Sequence, residues 1–352
     1  MSIVALARTE IRNLRAYQSA VTCDRDLKLN ANESPVATGT QNTQGLNRYP
    51  ARRPVKLTQM MAEHYGVGVD NVLVTRGSSE GIDLLIRTFC SAGLDSVLLT
   101  PPVFDMYQVY ASIQGAKIIN VPLRADNDFS VDTALLLSAC DQYTKLIFLC
   151  SPNNPLGMTI PKKEVLRILD HRAGKSVVVL DEAYIEYSDT DSLASLVAGH
   201  DNLVVLRTLS KGLALAGARC GAVIASVGLI QLLDAVLAPY ALSSPAIASA
   251  ERALSSTQLA LSNTAIGKII DGRQRLCREL AACKAVERIW PSQANFLFVR
   301  FACLDEIRQR LAETGIAIRT YGSDLPMKGC ARITVSLEQD NERLTNTIRS
   351  LN

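Results

Sequence analysis

An α/β architecture, with a mostly parallel sheet flanked by helices and a smaller α+β unit after it, is what this sequence predicts, and three observations predict it. From about residue 70 to 225, short β-branched apolar runs alternate with segments of helical period, the pattern of strands joined by crossover helices. A turn-rich stretch, APYALSSPA, ends that alternation near Pro239 to Pro245. Beyond it a long helical region to about residue 284 leads into a tail that mixes strands and helices. The 352 residues suffice for two domains, and 48% hydrophobic with 20% charged residues provides an ample core.

Taken in order, the expected strands of the large unit are VLVT (72–75), SVLLT (96–100), KIINVP (117–122), KLIFLC (145–150), SVVVLD (176–181), LVVLRT (203–208) and GAVIAS (221–226). SEGIDLLIRTFC, PKKEVLRILDHR and VGLIQLLDAVLA are expected helices between and after them. The tail reads as strand NFLFVR, helix LDEIRQRLAE, strands IAIRTY and ARITVS, and a last helix EQDNERLTNTIRSL. These divisions predict an N-terminal segment over 1–44 joining the small domain, a large domain over 45–240 and a small domain over 241–352.

Charge and composition exclude several function classes. Lys and Arg number 37 against 34 acidic residues, so the formal charge of +3 is too small and too evenly spread for a nucleic-acid or membrane surface. Nine cysteines, none at the spacing of metal knuckles or redox pairs, and three scattered histidines (His64, His171, His200) predict no metal site. The opening MSIVALARTE, interrupted by Arg8 and Glu10, resembles neither a leader nor a membrane span, which predicts a cytoplasmic protein acting on small molecules.

Candidate chemistry gathers where strands end. SVVVLDEAY delivers Asp181 to the C-terminal end of a strand, the edge at which open parallel sheets bind ligands. A helix cap or core salt bridge is the competing reading of that carboxylate. Three residues on stands Tyr184, and LRTLSKGLALAGARCG sets Lys211 in a glycine-bounded turn with Ser210 before it and Arg219 after it. A lysine amine there is placed to form a Schiff base with an aldehyde cofactor such as pyridoxal phosphate. That cofactor needs an anion at its ring nitrogen, which Asp181 supplies, and donors at its phenolic oxygen, for which Tyr184 and Asn154 are candidates. It also needs donors for its phosphate. RGSSEG places the N–H groups of Gly77, Ser78 and Ser79 at the start of a helix, and Ser210 and Arg219 would complete the cradle. A capped helix explains Gly-Ser-Ser equally, a plain turn explains SPNNPLG around Asn154, and core packing explains Phe104, the aromatic candidate for stacking on the cofactor ring.

Together RNLRAYQSA, LNANESP, NRYP, RGSSEGIDLLIRTFC, PPVFDMY, SPNNPLG, VVLDEAYIEY, RTLSKGLALAGARCG, APYALSSP and ARITVS resemble, in order, the segments of the fold-type I pyridoxal-phosphate-dependent aminotransferases, and more narrowly the histidinol-phosphate aminotransferases. The resemblance covers nearly the whole chain. It implies a seven-stranded large domain with helices on both faces, and an exchange of an amino group between histidinol phosphate and 2-oxoglutarate in histidine biosynthesis. Lys211 would then link to the cofactor and carry the proton at the substrate Cα, while Arg332 and Arg319 would bind the substrate's anionic groups. For each of these two arginines the competing reading is a surface arginine. Tyr17 and Asn32 would line the substrate pocket, and Tyr49 in NRYP would reach the phosphate in a neighbouring subunit, implying a homodimer. Leu156, Ser34 and Val36 depart from the family's usual residues and leave the pocket lining open. An aromatic amino-acid aminotransferase and a threonine-phosphate decarboxylase share such a site. A regulator that kept the fold without catalysis would need a DNA-binding domain for which this chain has no spare residues.

Overall fold

A computed structural model of the chain describes residues 2–17, 29–37, 45–322 and 326–351. Seven strands form the large sheet: β1 (Val72–Thr75), β2 (Ser96–Leu99), β3 (Lys117–Asn120), β4 (Thr144–Cys150), β5 (Val177–Asp181), β6 (Leu203–Thr208) and β7 (Gly221–Ala225). Their spatial order is β1-β7-β6-β5-β4-β2-β3. The five strands from β3 to β6 run parallel to their neighbours, whereas β7 is antiparallel to both β6 and β1. This strand departs from the alternation read in the sequence for a simple reason. Residues 209–220, between β6 and β7, hold only a short 3-10 turn, Ala216–Ala218, and a parallel return requires a longer crossover.

Alternating side chains pack the two faces of the sheet into separate cores. Val74, Ile147, Leu149, Val178 and Leu180 meet the helices Val55–Tyr65, Lys162–Arg172 and Ser244–Ala253 through Leu57, Met61, Val165, Ile168 and Ala250. Leu73, Leu146, Phe148, Val177 and Val179 meet Ser78–Phe89, Met106–Gln114 and Val227–Val236 through Ile82, Phe89, Tyr107 and Leu229. Each such buried aliphatic side chain contributes about 1.5–3 kcal/mol, so the strand ends that carry polar groups are anchored on a rigid plate.

The C-terminal sheet holds β8 (Val286–Trp290), β9 (Phe296–Phe301), β10 (Arg319–Thr320) and β11 (Cys330–Thr334) in the order β10-β11-β9-β8, all pairs antiparallel. Leu297, Val299, Ala331 and Ile333 face a core completed by Leu276, Leu280, Ile307, Leu344 and Ile348. Phe298, Cys330 and Trp290 fall on the opposite face, with Phe129 and Leu156 from the large unit. Several expected boundaries change here. The helical region before residue 284 is two helices, Ser244–Ala253 and Ser256–Ala281, with a break at Leu254 and Ser255. IAIRTY contributes only the two paired residues of β10. Strand β8 was not expected from the sequence, because Glu287 and Arg288 are exposed at the sheet's edge and blur the alternation of VERIW.

Candidate active site

One cavity of about 220 Å³ opens at the C-terminal ends of β4, β5 and β6 and is lined by Ser78, Ser79, Phe104, Cys150, Asn154, Asp181, Ala183, Tyr184, Thr208, Ser210, Lys211, Ala216 and Arg219. Nine residues singled out from the sequence therefore converge in space: Ser78, Ser79, Phe104, Asn154, Asp181, Tyr184, Ser210, Lys211 and Arg219.

Asp181, the last residue of β5, lies on the same side of the sheet as Val177 and Val179 and is 3% exposed. Burial pushes its carboxyl up to about 6, against the opposing effect of two donors. These are the Tyr107 hydroxyl, 2.7 Å from Oδ2, and the Ala183 N–H, 3.1 Å from Oδ1. Tyr107 is itself buried, stacked on Phe148 at 4.8 Å and edge-on to Phe104 at 5.7 Å. The sequence reading missed it. Its only signal is its place one helical turn after Phe104, and a tyrosine there reads equally as core.

Lys211 carries its amine 5.7 Å from the centre of the Tyr184 ring. Burial, then the nearby guanidinium groups of Arg332 and Arg219, lower its pKa, and among the described residues no carboxylate pairs with it. This amine is thus held toward the neutral, nucleophilic form. Tyr184 packs edge-on against Phe296 at 5.2 Å, and burial raises its phenol.

Elsewhere in the cavity wall the helix Ser78–Phe89 begins with no side chain capping it. The N–H of Gly77 is spent on the Thr75 carbonyl at 2.8 Å, so Ser78 and Ser79 supply the first-turn donors and Gly77 does not. Gly77 serves by shape. Its φ is +76°, and a Cβ there would stand 2.8 Å from Arg219 Nη2. Gly221 repeats the device, since its Cβ would stand 2.6 Å from the Arg207 carbonyl and 2.9 Å from Gly77. Arg219, in left-handed backbone at φ 53°, donates from Nη1 to the Ala216 carbonyl at 3.1 Å and to Ser210 Oγ at 3.4 Å. A helix start and a guanidinium face the same space, an arrangement that holds a phosphate.

The small sheet touches the cavity wall through Arg332 on β11, which bonds the lining residue Asn154 without lining the cavity itself. Strand alternation turns Arg332 to the same face as Cys330, away from the core beneath Ile333. Its Nη1 donates to Asn154 Oδ1, which fixes the amide and leaves the Asn154 NH₂ as a donor. Arg319 stands directly opposite Arg332 in the β10–β11 pairing, so both guanidinium groups share one face. It is exposed, 3.8 Å from Asp105. Tyr17, Asn32 and Tyr49 do not line this cavity. Tyr17 and Tyr49 are 53% and 51% exposed and lie against Tyr240, with ring centroids 6.5 and 4.6 Å away, while Asn32 is exposed with φ 54°. Of the departures noted in the sequence, Leu156 is buried against Trp290 and Phe298 and lies outside the cavity. Ser34 and Val36 are exposed.

The donor set fits pyridoxal phosphate on the geometry alone: a buried carboxylate, an amine without an acidic partner, amide and phenol donors between them, and a glycine-shaped anion cradle. Residues 13–350 match the aminotransferase class I and II family, and the chain belongs to it. Members of this family depend on pyridoxal phosphate. A histidinol-phosphate aminotransferase of Xylella fastidiosa (strain 9a5c) is 42% identical, over 99% of this chain and 97% of that protein. One from Serratia proteamaculans (strain 568) is 39% identical over 100% and 97%. The crystal structure of histidinol-phosphate aminotransferase from Sinorhizobium meliloti in complex with pyridoxal-5'-phosphate superposes with a TM-score of 0.78 at 27% identity, covering 87% of this chain and 84% of that one. No helix among the described residues is long and apolar enough to cross a membrane.

Proposed function

We propose that this chain transfers an amino group between L-histidinol phosphate and 2-oxoglutarate, giving imidazole acetol phosphate and glutamate. The observation that carries the reading is the Lys211 amine, unpaired by any described carboxylate, in one cavity with the buried Asp181. Full-length similarity to histidinol-phosphate aminotransferases supports the choice of substrate.

Bound pyridoxal phosphate supplies the electron sink for the bond broken at the substrate Cα. Asp181 holds the proton on the ring nitrogen, each pKa unit of that preference being worth about 1.4 kcal/mol. Tyr107 orients the carboxylate for this task. Lys211 Nζ holds the aldehyde end of the cofactor and moves the proton at Cα, for which its lowered pKa suits it. Asn154 and Tyr184 would donate to the phenolic oxygen, Phe104 is available to stack on the ring, and Ser78, Ser79, Ser210 and Arg219 would hold the phosphate, with Gly77 giving them room. Arg332, already on Asn154, receives the substrate's carboxylate or phosphate, since a planar guanidinium forks onto either. Arg319 on the same face would serve as the second anion site, whereas the exposed Tyr17 and Asn32 lie outside this chain's cavity.

The exposed Tyr49, outside its own chain's cavity, fits a homodimer in which it completes the partner's phosphate site. The large domain would span 45–240 and the small domain 241–352, with 1–44 joining the latter. Of that segment, 18–28 and 38–44 lie outside the described residues. Eight free cysteines among the described residues suit a reducing cytoplasm. The deciding experiment mixes the purified protein with histidinol phosphate and 2-oxoglutarate and measures glutamate. Glutamate formation supports the reading. Its absence, with carbon dioxide released from threonine phosphate, would replace it.

A further inference from the structure

Lys211 sits in a turn followed by Gly212, and such a turn has little rigidity of its own. Its amine nevertheless has to stay in register with a fixed cofactor, because a misplacement of about 1 Å at a reacting group can cost about a hundredfold in rate. Something outside the turn must hold it. The Lys211 carbonyl accepts from the Tyr187 hydroxyl at 3.0 Å and from the Ala214 N–H at 3.1 Å. Gly212 rests against the side chain of Glu186, so closely that a Cβ at Gly212 would lie 2.8 Å from Glu186 Cγ, 3.0 Å from its Cβ and 3.1 Å from its Cδ. Gly212 is not in left-handed backbone, so the neighbour and not the conformation demands glycine there.

Glu186 is in turn fixed. Arg207 Nη2 donates to its Oε1 at 2.9 Å, and Arg207 Nη1 reaches Ser192 Oγ at 3.2 Å and Glu182 Oε2 at 3.6 Å. The guanidinium lies 4.6 Å from the centre of the Tyr65 ring, on the face of the sheet opposite Tyr107. Arg207 belongs to β6, four residues before Lys211, and Glu182 directly follows Asp181 on β5. One buried cation therefore ties together the ends of the two strands that deliver the carboxylate and the amine. Desolvation offsets much of the attraction in a buried ion pair of this kind, so the pair is weak evidence for a stabilising role even though removing one partner alone is costly.

We propose that Glu186, pinned by Arg207, is the positioning residue for Lys211: the stem of its side chain is the wall against which the Lys211–Gly212 peptide is set. The inference rests on the reading of Lys211 given above. Four variants of the cofactor-loaded, full-length protein test it: Glu186→Ala, Glu186→Gln, Gly212→Ala and the double variant Gly212→Ala with Glu186→Ala. The readouts are kcat and KM, and the visible circular dichroism of the bound cofactor, which follows its tilt and not its turnover. Glu186→Ala should lower kcat about tenfold or more with KM within about twofold, and diminish the visible dichroism. Glu186→Gln keeps the stem and should restore both. Gly212→Ala should show the same two losses, and the double variant, in which the added methyl finds the vacated space, should recover part of them. That last comparison stands even if Glu186→Ala alone folds poorly. Wild-type kcat and dichroism in Glu186→Ala, or losses in the double variant that simply add, would overturn the proposal. A wild-type protein with no visible band would overturn the reading of the site itself.

Discussion

Replacing Asp181 by Asn should make the cofactor-free chain more stable, and increasingly so as pH rises. The carboxyl titrates near 6 in the folded chain against 3.8 for the ordinary group, because burial disfavours its charge. A raised folded pKa means that the native state binds the proton more tightly than the unfolded one. The associated stability is fully present below 3.8 and is lost as pH rises through 6. With about 1.36 kcal/mol per unit, the buried Asp181 carboxyl costs the fold about 1 to 2 kcal/mol at pH 5, where it is still mostly protonated, and about 3 kcal/mol at pH 8, where it is ionised. Asn keeps the shape and can accept from the Ala183 N–H and donate to the Tyr107 hydroxyl, so most of that cost should vanish. Denaturant unfolding of the cofactor-free wild type and of Asp181→Asn at the two pH values measures it. The gain at pH 8 should exceed that at pH 5 by about 1 to 2 kcal/mol. With cofactor bound the ranking of function inverts: the variant should still take up pyridoxal phosphate yet exchange the Cα proton about a hundredfold more slowly or worse. Equal pH dependence of stability in the two chains would refute the argument, because it would mean that Asp181 is not held charged against its surroundings.

Lys211→Ala should abolish both turnover and the visible absorbance of the purified protein; activity surviving the substitution would assign the chemistry to another group. Tyr107→Phe removes a hydrogen bond to a buried charge, worth about 1.5–3 kcal/mol, and should move the acidic limb of the kcat/KM profile upward by about one to two pH units. A stationary limb would show that Tyr107 is mere packing. Arg332→Ala should raise KM for both glutamate and histidinol phosphate, whereas an effect confined to one of them would separate the two anion sites. For the proposed dimer, a mixture of Tyr49→Phe chains with Lys211→Ala chains should regain cofactor affinity that Tyr49→Phe alone lacks, read by equilibrium dialysis after co-refolding. No regain would keep Tyr49 within its own chain's business.

Much of the site is legible in the sequence because its residues sit at strand ends, where an apolar run stops and a polar residue follows. Asp181 after VVVL and Lys211 after LVVLRT are marked in this way, and β5 and β6 bring them to the same edge. What the sequence leaves dark depends on packing between elements. Tyr107 acts across the gap between a helix and β5, 74 positions away from Asp181 in the chain. The Glu186 contact with Gly212 arises only once two loops meet. Leu156 shows the converse: it stands beside the site in sequence and is turned away from it by Trp290 and Phe298. Strand β8 stays hidden because an edge strand needs only one apolar side.

The antiparallel strand β7 has a bearing on how the protein is made. In the register of the large sheet, Thr75 at the end of β1 and Thr208 at the end of β6 both face Gly221, the first residue of β7. Among the described residues β1 has no other neighbour in the sheet, so the anchor beneath Ser78 and Ser79 stays without its pairing strand until residue 221 and those after it have left the ribosome. A nascent chain that has already displayed Asp181 and Lys211 still lacks a seated phosphate cup. The phosphate end of the site thus depends on the last strand of the large sheet to be synthesised, and a product ending before β7 would leave β1 without that partner.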